Sequence, residues 1–114
     1  MRRGLVQHMK LSMDITESGL RMFFKDWQIK AFEALWKSSQ PLNSREVWEA
    51  VNNEISISRA SIINFLEASH ENGLLDRDST TGKGGHRGLY SAKYDERGTK
   101  KYLKKIFKEH LDKL

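Results

Sequence analysis

The sequence has no cysteine among its 114 residues, which excludes disulfides, thiolate zinc sites and a cysteine nucleophile. This composition is typical of a reducing compartment. Long apolar runs are also missing, because no stretch approaches the roughly 18 residues that a membrane span needs. Arg2 and Arg3 are not followed by the apolar segment of a signal peptide. We therefore expect a cytoplasmic protein without a membrane partner.

Histidine is sparse as well. The chain has His8, His70, His86 and His110, which are scattered without the short spacing of a metal site, so we expect no metal. No Ser/His/Asp arrangement is recognisable, and no glycine-rich cofactor fingerprint follows a strand. The acidic residues of the helical segments are typical of solvated charges. The sequence therefore predicts no catalytic residue, no cofactor and no enzyme activity.

The charge of the chain is concentrated in its last third. Residues 1–78 carry ten Lys/Arg and eleven Asp/Glu, a balance of −1, whereas residues 79–114 carry ten and four, a balance of +6. The sum is the net charge of +5. Positive charge gathered on one face attracts polyphosphate, so this asymmetry favours a nucleic-acid partner. A solvated basic helix is the alternative.

Hydrophobic periodicity predicts one domain that begins after a weakly patterned extension at residues 1–24. Residues 11–16 alternate apolar and polar side chains, which predicts a short edge strand, and the rest of the extension is expected to be partly disordered or in a dimer contact. A first helix is predicted from Gly19 to near Ser38, and Pro41 ends it because proline lacks an N–H. Its apolar positions recur every three or four residues: Leu20, Phe23, Phe24, Trp27, Ala31 and Leu35.

A second, short helix is predicted after this loop. Asn43 is followed by Glu46 three positions later, the spacing of a capping box in which each side chain bonds to the other residue's backbone N–H. The polar pair at residues 52–53 ends the helix. Its apolar positions are Val47, Trp48, Ala50 and Val51.

A third helix is predicted from Ser58, a good N-cap, to Asn72, with Gly73 in the left-handed position that follows many helices. Helical spacing turns one stripe of this helix toward the core, namely Ile62, Phe65, Leu66 and Ser69. The outward residues near its start are Arg59, Ser61, Ile63 and Asn64.

A hairpin and a last helix complete the pattern. Strands are predicted at residues 74–78 and 88–92, with a long flexible tip at residues 79–87 between them. A lysine-rich helix is predicted to start after Gly98, and one face of it must be buried. The apolar face contains Tyr102, Leu103, Ile106, Phe107, His110, Leu111 and Leu114.

The order helix, short helix, turn, helix, hairpin, helix predicts a winged helix-turn-helix: mainly α with a small β-hairpin wing, at residues 25–96, followed by an amphipathic helix at 97–114. In such a fold the recognition helix, here residues 58–72, lies in the major groove of double-stranded DNA. Arg59 could bind guanine, Asn64 adenine, and Ser61 phosphate or base. Ordinary solvent-facing residues are the alternative.

The predicted wing, residues 79–88, combines four glycines with Lys83, His86 and Arg87. Glycine lets the backbone approach a phosphate closely, and the cations release counterions on binding, so this segment suits the DNA backbone. A phosphate-binding P-loop is the competing interpretation, but the segment lacks the G-x-x-x-x-G-K-[ST] spacing and does not lead from a strand into a helix. A purely flexible hairpin is the other alternative.

Residues 45–51, 60–66 and 72–77 (REVWEAV, ASIINFL and NGLLDR) resemble successive segments of the penicillinase-repressor family within the MarR-like winged-helix regulators. The similarity covers roughly residues 26–92 by the register of these segments. The stretch 90–98 also resembles the tyrosine-to-glycine segment that leads many such regulators from the wing into a final helix.

The resemblance implies a repressor that binds a palindromic operator as a homodimer. The positions that it implies for the major groove are Arg59, Ala60, Ser61, Ile63 and Asn64. The helix starts, with Ser44, Arg45 and Ser58, are predicted to contact the DNA backbone.

The family has a longer helical dimerisation region, whereas here one helix of about five turns remains. Its apolar stripe is predicted to pair with a second copy, or else to fold back on the first helix. The candidate dimer residues are Tyr102, Leu103, Ile106, Phe107 and Leu111. A winged helix used for protein assembly or RNA binding remains the alternative function, because the fold alone does not choose between them.

Overall fold

The structure, a computed structural model, describes residues 11–82 and 85–114, and the side chains of residues 79–87 lie outside that description. The elements confirm the predicted mainly α fold with a β-hairpin wing. In chain order they are a 3-10 helix (Gly19–Met22), α1 (Asp26–Lys37), α2 (Ser44–Asn52), α3 (Arg59–Glu71), β1 (Leu75–Gly82), β2 (Gly85–Ala92) and α4 (Glu96–Leu111).

The predicted edge strand at residues 11–16 is wrong. Asp14 Oδ1 accepts hydrogen bonds from the Thr16 N–H at 2.9 Å and the Thr16 hydroxyl at 2.6 Å, which closes a turn. The Asp14 N–H donates to the Met22 carbonyl at 2.7 Å, so the segment is tied to the 3-10 helix. A short aspartate side chain that bonds to the backbone two residues on competes with strand pairing.

The first helix is divided in two, which the apolar spacing does not reveal. After the 3-10 helix the backbone is extended at Lys25, and the Lys25 N–H donates to Gln28 Oε1 at 2.8 Å. This bond caps a new helix, α1, in the way that a glutamine three positions after the N-cap does. The apolar residues Leu20 and Phe24 are still buried in the core.

Local capping signals place α2 and α3 where they were predicted. The Glu46 N–H donates to Asn43 Oδ1 at 2.8 Å, and the Asn43 N–H donates to Glu46 Oε1 at 2.9 Å. At α3 the Ser61 N–H donates to Ser58 Oγ at 3.0 Å. These bonds satisfy helix-start donors that have no partner within the helix.

The end of α3 is a Schellman motif. Gly73 has φ +84°, and the N–H groups of Gly73 and Leu74 donate to the carbonyls of His70 and Ser69 at 3.1 and 2.9 Å. The predicted buried stripe is confirmed, because Ile62, Phe65, Leu66 and Ser69 are all buried.

The hairpin is longer and more regular than predicted. Antiparallel pairing runs from Leu75 with Ala92 to Gly82 with Gly85, so most of the segment predicted as a long flexible tip is paired strand. Backbone pairing does not depend on apolar alternation, which is why the polar residues of the tip gave no strand signal. Leu42, predicted as loop, forms a two-way backbone bridge with Tyr90 at 2.8 Å in each direction and joins the hairpin to the α1–α2 connection.

Helix α4 starts two residues before Gly98, because Asp95 is the N-cap and its Oδ1 accepts from the Gly98 N–H at 2.7 Å. The helix packs on the rest of the chain. The Tyr102 hydroxyl donates to the Asn72 carbonyl at 2.8 Å, and the ring of Phe107 lies 4.8 Å from that of Phe23. One core therefore includes residues from the N-terminal segment to α4: Leu20, Phe24, Ala31, Phe32, Leu35, Val47, Val51, Ile62, Phe65, Leu66, Leu74, Leu75, Tyr90 and Leu103.

Candidate nucleic-acid interface

The start of α3 presents mostly small and polar side chains to solvent. The predicted recognition residues are exposed at Arg59, Ala60, Ile63 and Asn64, with Ile63 39% exposed. Ser61 is half-buried, and its hydroxyl lies 2.8 Å from Ser58 Oγ. The capping bond at Ser58 therefore also fixes the side chain of a predicted recognition residue.

Arg59 is held against an aromatic ring. Its guanidinium carbon lies 5.7 Å from the centre of the Trp48 ring, within the range of a cation–π contact. The Trp48 indole N–H donates to the Ile57 carbonyl at 2.7 Å, so the ring is anchored to the turn that precedes α3. A planar guanidinium above an anchored ring loses less freedom when it binds a base or a phosphate.

A polar cluster connects α3 to the hairpin. Arg77 Nε on β1 lies 2.9 Å from Glu67 Oε2 on α3, and the Tyr90 hydroxyl on β2 donates a short hydrogen bond to the same carboxylate oxygen. The Arg77 guanidinium also lies 5.8 Å from the centre of the Tyr90 ring. A Cβ at Gly88 would stand 2.9 Å from Arg77 Nε, so the arginine lies close over the hairpin backbone there.

Burial of the Tyr90 phenol, with its hydrogen bond to Glu67, raises the pKa of Tyr90 above its usual value. The hydrogen bond to Tyr90 and the nearby Glu67 carboxylate raise the pKa of Arg77 despite partial desolvation. Both shifts favour the arrangement seen, with a neutral phenol as donor and a charged guanidinium beside the carboxylate. The cluster therefore fixes how the hairpin meets α3.

These elements enclose a depression of about 350 Å³, which we call the arginine groove. Its walls come from the start of α2, the outward side of α3 and the hairpin. Arg45 at its edge is exposed and lies 3.3 Å from Glu49 one turn along α2. Among the residues that line the groove are Asn43, Ser44, Arg45, Arg59, Ile63 and Arg77.

The predicted wing cations are placed only in part. Lys83 lies outside the described residues. The backbones of His86 and Arg87 pair with Thr81 and Thr80 in the hairpin, and their side chains lie outside the description. The contact of the wing with DNA therefore stays a prediction.

The candidate dimer residues on α4 divide by burial. Leu103 is fully buried in the chain's own core, so it offers no surface to a second copy. Tyr102, Ile106 and Phe107 are half-buried against the same chain, whereas Leu111 is 50% exposed. Most of this stripe therefore packs on the core of its own chain, and contact with a second copy stays a prediction.

Among the side chains that the structure describes, those of residues 11–78 and 88–114, no three from His, Asp or Glu are grouped closely enough to hold a metal ion. Over the same ranges no helix combines the length and the apolar character that crossing a bilayer requires.

The fold is similar to that of a chain of known structure. A chain named as a possible transcriptional regulator from Methanosarcina mazei Go1 is similar in fold, with a TM-score of 0.57 and 13% sequence identity over 79% of this chain and 72% of the other. No protein-family model matches the sequence, and no curated protein matches it. At 13% identity the likeness shows a fold shared with a regulator-like protein.

Three residues that line the arginine groove received no role in the sequence analysis, namely Glu67, Arg77 and Tyr90. Trp48 was predicted only as an apolar position of the second helix, although its ring supports Arg59. If a short turn had been predicted at the hairpin tip, the strands would have been paired in about the observed register, with Arg77 opposite Tyr90. No local signal connects either residue to Glu67.

Proposed function

We propose that this protein is a transcription regulator that binds double-stranded DNA sequence-specifically, with α3 in the major groove. One observation carries the proposal: Arg45, Arg59 and Arg77 come from three different elements and meet at one concave face. Arginine is the side chain best suited to both phosphate and guanine, and α3 is the helix that a winged helix-turn-helix inserts into the groove.

Different parts of this face would have different tasks. Arg59 and Asn64 are exposed near the start of α3 and would contact base edges, together with Ala60, Ser61 and Ile63. The capped helix starts, with Ser44, Arg45 and Ser58, would contact phosphates, because backbone N–H groups and the helix dipole favour anions there. The wing, with Lys83, His86 and Arg87, would follow the sugar–phosphate backbone.

The finer points of the proposal come from the sequence resemblance. A repressor of the penicillinase-repressor type would act as a homodimer on a palindromic operator, so that its two-fold symmetry matches that of the DNA. Since Leu103 is buried, the contact surface would include the exposed end of α4, where Leu111 is 50% exposed and Leu114 fully exposed.

The direct test is to select bound duplexes from a random pool and to measure the mass of the complex. We expect an enriched palindromic site and two protein chains per duplex. Enrichment without a palindrome would leave DNA binding in place and contradict the dimer. If no sequence is enriched and binding is equally weak for all duplexes, sequence-specific recognition is wrong.

The wing is tested by salt dependence. Replacing Lys83 and Arg87 with alanine should weaken binding to all duplexes and flatten the slope of log affinity against log salt by about one unit per lost contact. Replacing Lys105 on α4 and Lys113 just after it, both exposed lysines, with alanine is the control of equal charge. An unchanged slope in the wing variant would remove the wing from the interface.

A protein-assembly function is favoured by one observation on α3. Ile63 is a large apolar side chain that is 39% exposed between the polar recognition residues. In a complex with DNA, Ile63 would contact a thymine methyl group. In a protein assembly it would enter an apolar pocket of the partner. Ile63→Ser should change base preference at one position if DNA is bound, whereas loss of a protein partner with unchanged DNA binding would favour assembly.

A further inference from the structure

A second concavity lies on another part of the molecule, between the N-terminal segment, residues 13–23, and α4. We call it the α4 cavity. It has a volume of about 630 Å³, within the range of sites for small organic ligands. Its apolar lining includes Leu20, Phe23, Phe107 and Leu111. The rings of Phe23 and Phe107, 4.8 Å apart, form part of that lining.

The rim of the α4 cavity is basic. Lys100, Lys104 and Lys108 line it and lie at successive four-residue steps along α4, so they form one row on the helix. Lys100 and Lys108 contact Glu96 and Asp112, each at 3.2 Å. Across the part of the chain that the structure describes, Lys104 in the middle of the row has no carboxylate within ion-pair distance.

We propose that the α4 cavity binds an amphipathic organic anion, a carboxylate with an aliphatic or aromatic body. The body would lie against Leu20, Phe23 and Phe107, and burial of its apolar surface would supply most of the binding free energy. The carboxylate would lie at the lysine row, with Lys104 as its main partner. Lysine is suited to this task because its long stem packs along apolar surface while its ammonium group stays at the rim.

The charged residues at the rim determine the sign of the charge that the ligand should carry. Asp112 is the acidic residue that lines the cavity, and it is already within 3.2 Å of Lys108. A cationic ligand of the same shape would meet the lysine row without a free carboxylate to offset it. The proposal does not depend on DNA binding, because the site shares no residue with the arginine groove.

The test uses three probes with the same ten-carbon chain: decanoate, decanol and decyltrimethylammonium. Binding to the full chain is followed by calorimetry below the micelle concentration, and amide chemical shifts locate the site. We expect decanoate to bind more tightly than decanol, and decyltrimethylammonium to bind most weakly. The shifts should concentrate at the N-terminal segment and α4.

Two variants of equal charge separate the lysine row from general charge. In the first, Lys100, Lys104 and Lys108 are replaced with glutamine. In the control, the exposed lysines Lys101, Lys105 and Lys113, which do not line the cavity, are replaced in the same way. We expect the first to weaken decanoate binding about tenfold and the control less than about twofold, with decanol unchanged in both. Circular dichroism confirms that both fold.

Three results would overturn the proposal. Equal affinities for decanoate and decyltrimethylammonium would mean that only apolar contact matters. Equal effects of the two triple variants would mean that the lysine row is not a site. A chain that is dimeric without ligand, gives no decanoate binding, and becomes monomeric with Leu111→Glu would mean that a second copy covers the cavity.

Discussion

The arginine groove and the α4 cavity are both concave, but their chemistry differs. In the groove, Arg77 lies against Glu67 and Arg59 against Trp48, so its cations are held by neighbours. In the cavity, Lys104 stands at the edge of an apolar pocket. Fixed guanidinium groups suit a rigid anionic surface, whereas flexible ammonium groups at an apolar rim suit small anions of varied shape.

The two regions share one structural support, α3 and its end. Phe65 on α3 packs on the rings of Phe24 and Phe32, at 6.0 and 5.5 Å. The end of α3 meets α4 through the Tyr102 hydrogen bond to the Asn72 carbonyl. Changes at these contacts should affect both regions, while changes within one region should leave the other intact.

The largest effect is expected from Phe65→Ala. The ring is 3% exposed and touches three other aromatic rings, so its loss should lower the free energy of unfolding by about 3–5 kcal/mol. Urea denaturation measures this. The exposed neighbour Asn64→Ala should stay within about 0.5 kcal/mol of the original chain. A loss below about 1 kcal/mol for Phe65→Ala would show that the aromatic cluster is not the common support.

Gly73→Ala should have the next largest effect, about 2–3 kcal/mol. Alanine at φ +84° is strained by about 1–2 kcal/mol, and its Cβ would collide with the Tyr102 hydroxyl, which loses its bond to the Asn72 carbonyl. Gly19→Ala is the control, because Gly19 has φ +64° but open space around the added Cβ. If both variants lose the same free energy of unfolding, the contact of Tyr102 on α4 with the end of α3 contributes nothing to stability.

Arg59→Ala tests the groove alone. We expect a loss of about 1–3 kcal/mol in DNA binding, confined to one base pair of the selected site, because a bidentate arginine discriminates one base. Arg21→Ala, an exposed arginine paired with Asp26 away from the groove, is the control. Competition with single-substituted duplexes measures the effect. An equal loss on every duplex would mean that Arg59 contacts the backbone instead.

Tyr90→Phe should have the smallest effect, about 1 kcal/mol at neutral pH, since it removes one hydrogen bond to Glu67. Folding raises the pKa of Tyr90. The stability that this phenol contributes is therefore fully present below its unfolded pKa of about 10, and it is lost as the pH rises through the folded pKa. Unfolding free energies measured between pH 9 and 11 should fall less steeply in Tyr90→Phe. An unchanged slope in Tyr90→Phe would contradict the raised pKa.

Signals between neighbouring residues predicted the structure well. Asn43 with Glu46, Ser58 at α3 and Gly73 after it lie where capping rules place them, because each bond joins residues a few positions apart. The break before α1 also has a local cause, the bond from Lys25 to Gln28. It was missed because the apolar spacing continues through the break.

Contacts between distant parts of the chain could not be predicted in this way. Glu67, Arg77 and Tyr90 meet only after the hairpin register is set and the hairpin has packed on α3. The burial of Leu103 likewise depends on where α4 lies, since its apolar stripe fits a second copy as well as its own chain. Amphipathic spacing shows that a face is covered but not by what.

The sequence by itself determined the winged-helix order and the outward residues at the start of α3, because helix caps and hydrophobic periodicity act over a few residues. The arginines were visible there as single charges. Only the tertiary structure decided that Arg45, Arg59 and Arg77 share one groove and that Lys104 borders an apolar cavity. Those groupings depend on the packing of elements far apart in the chain, which local patterns do not encode.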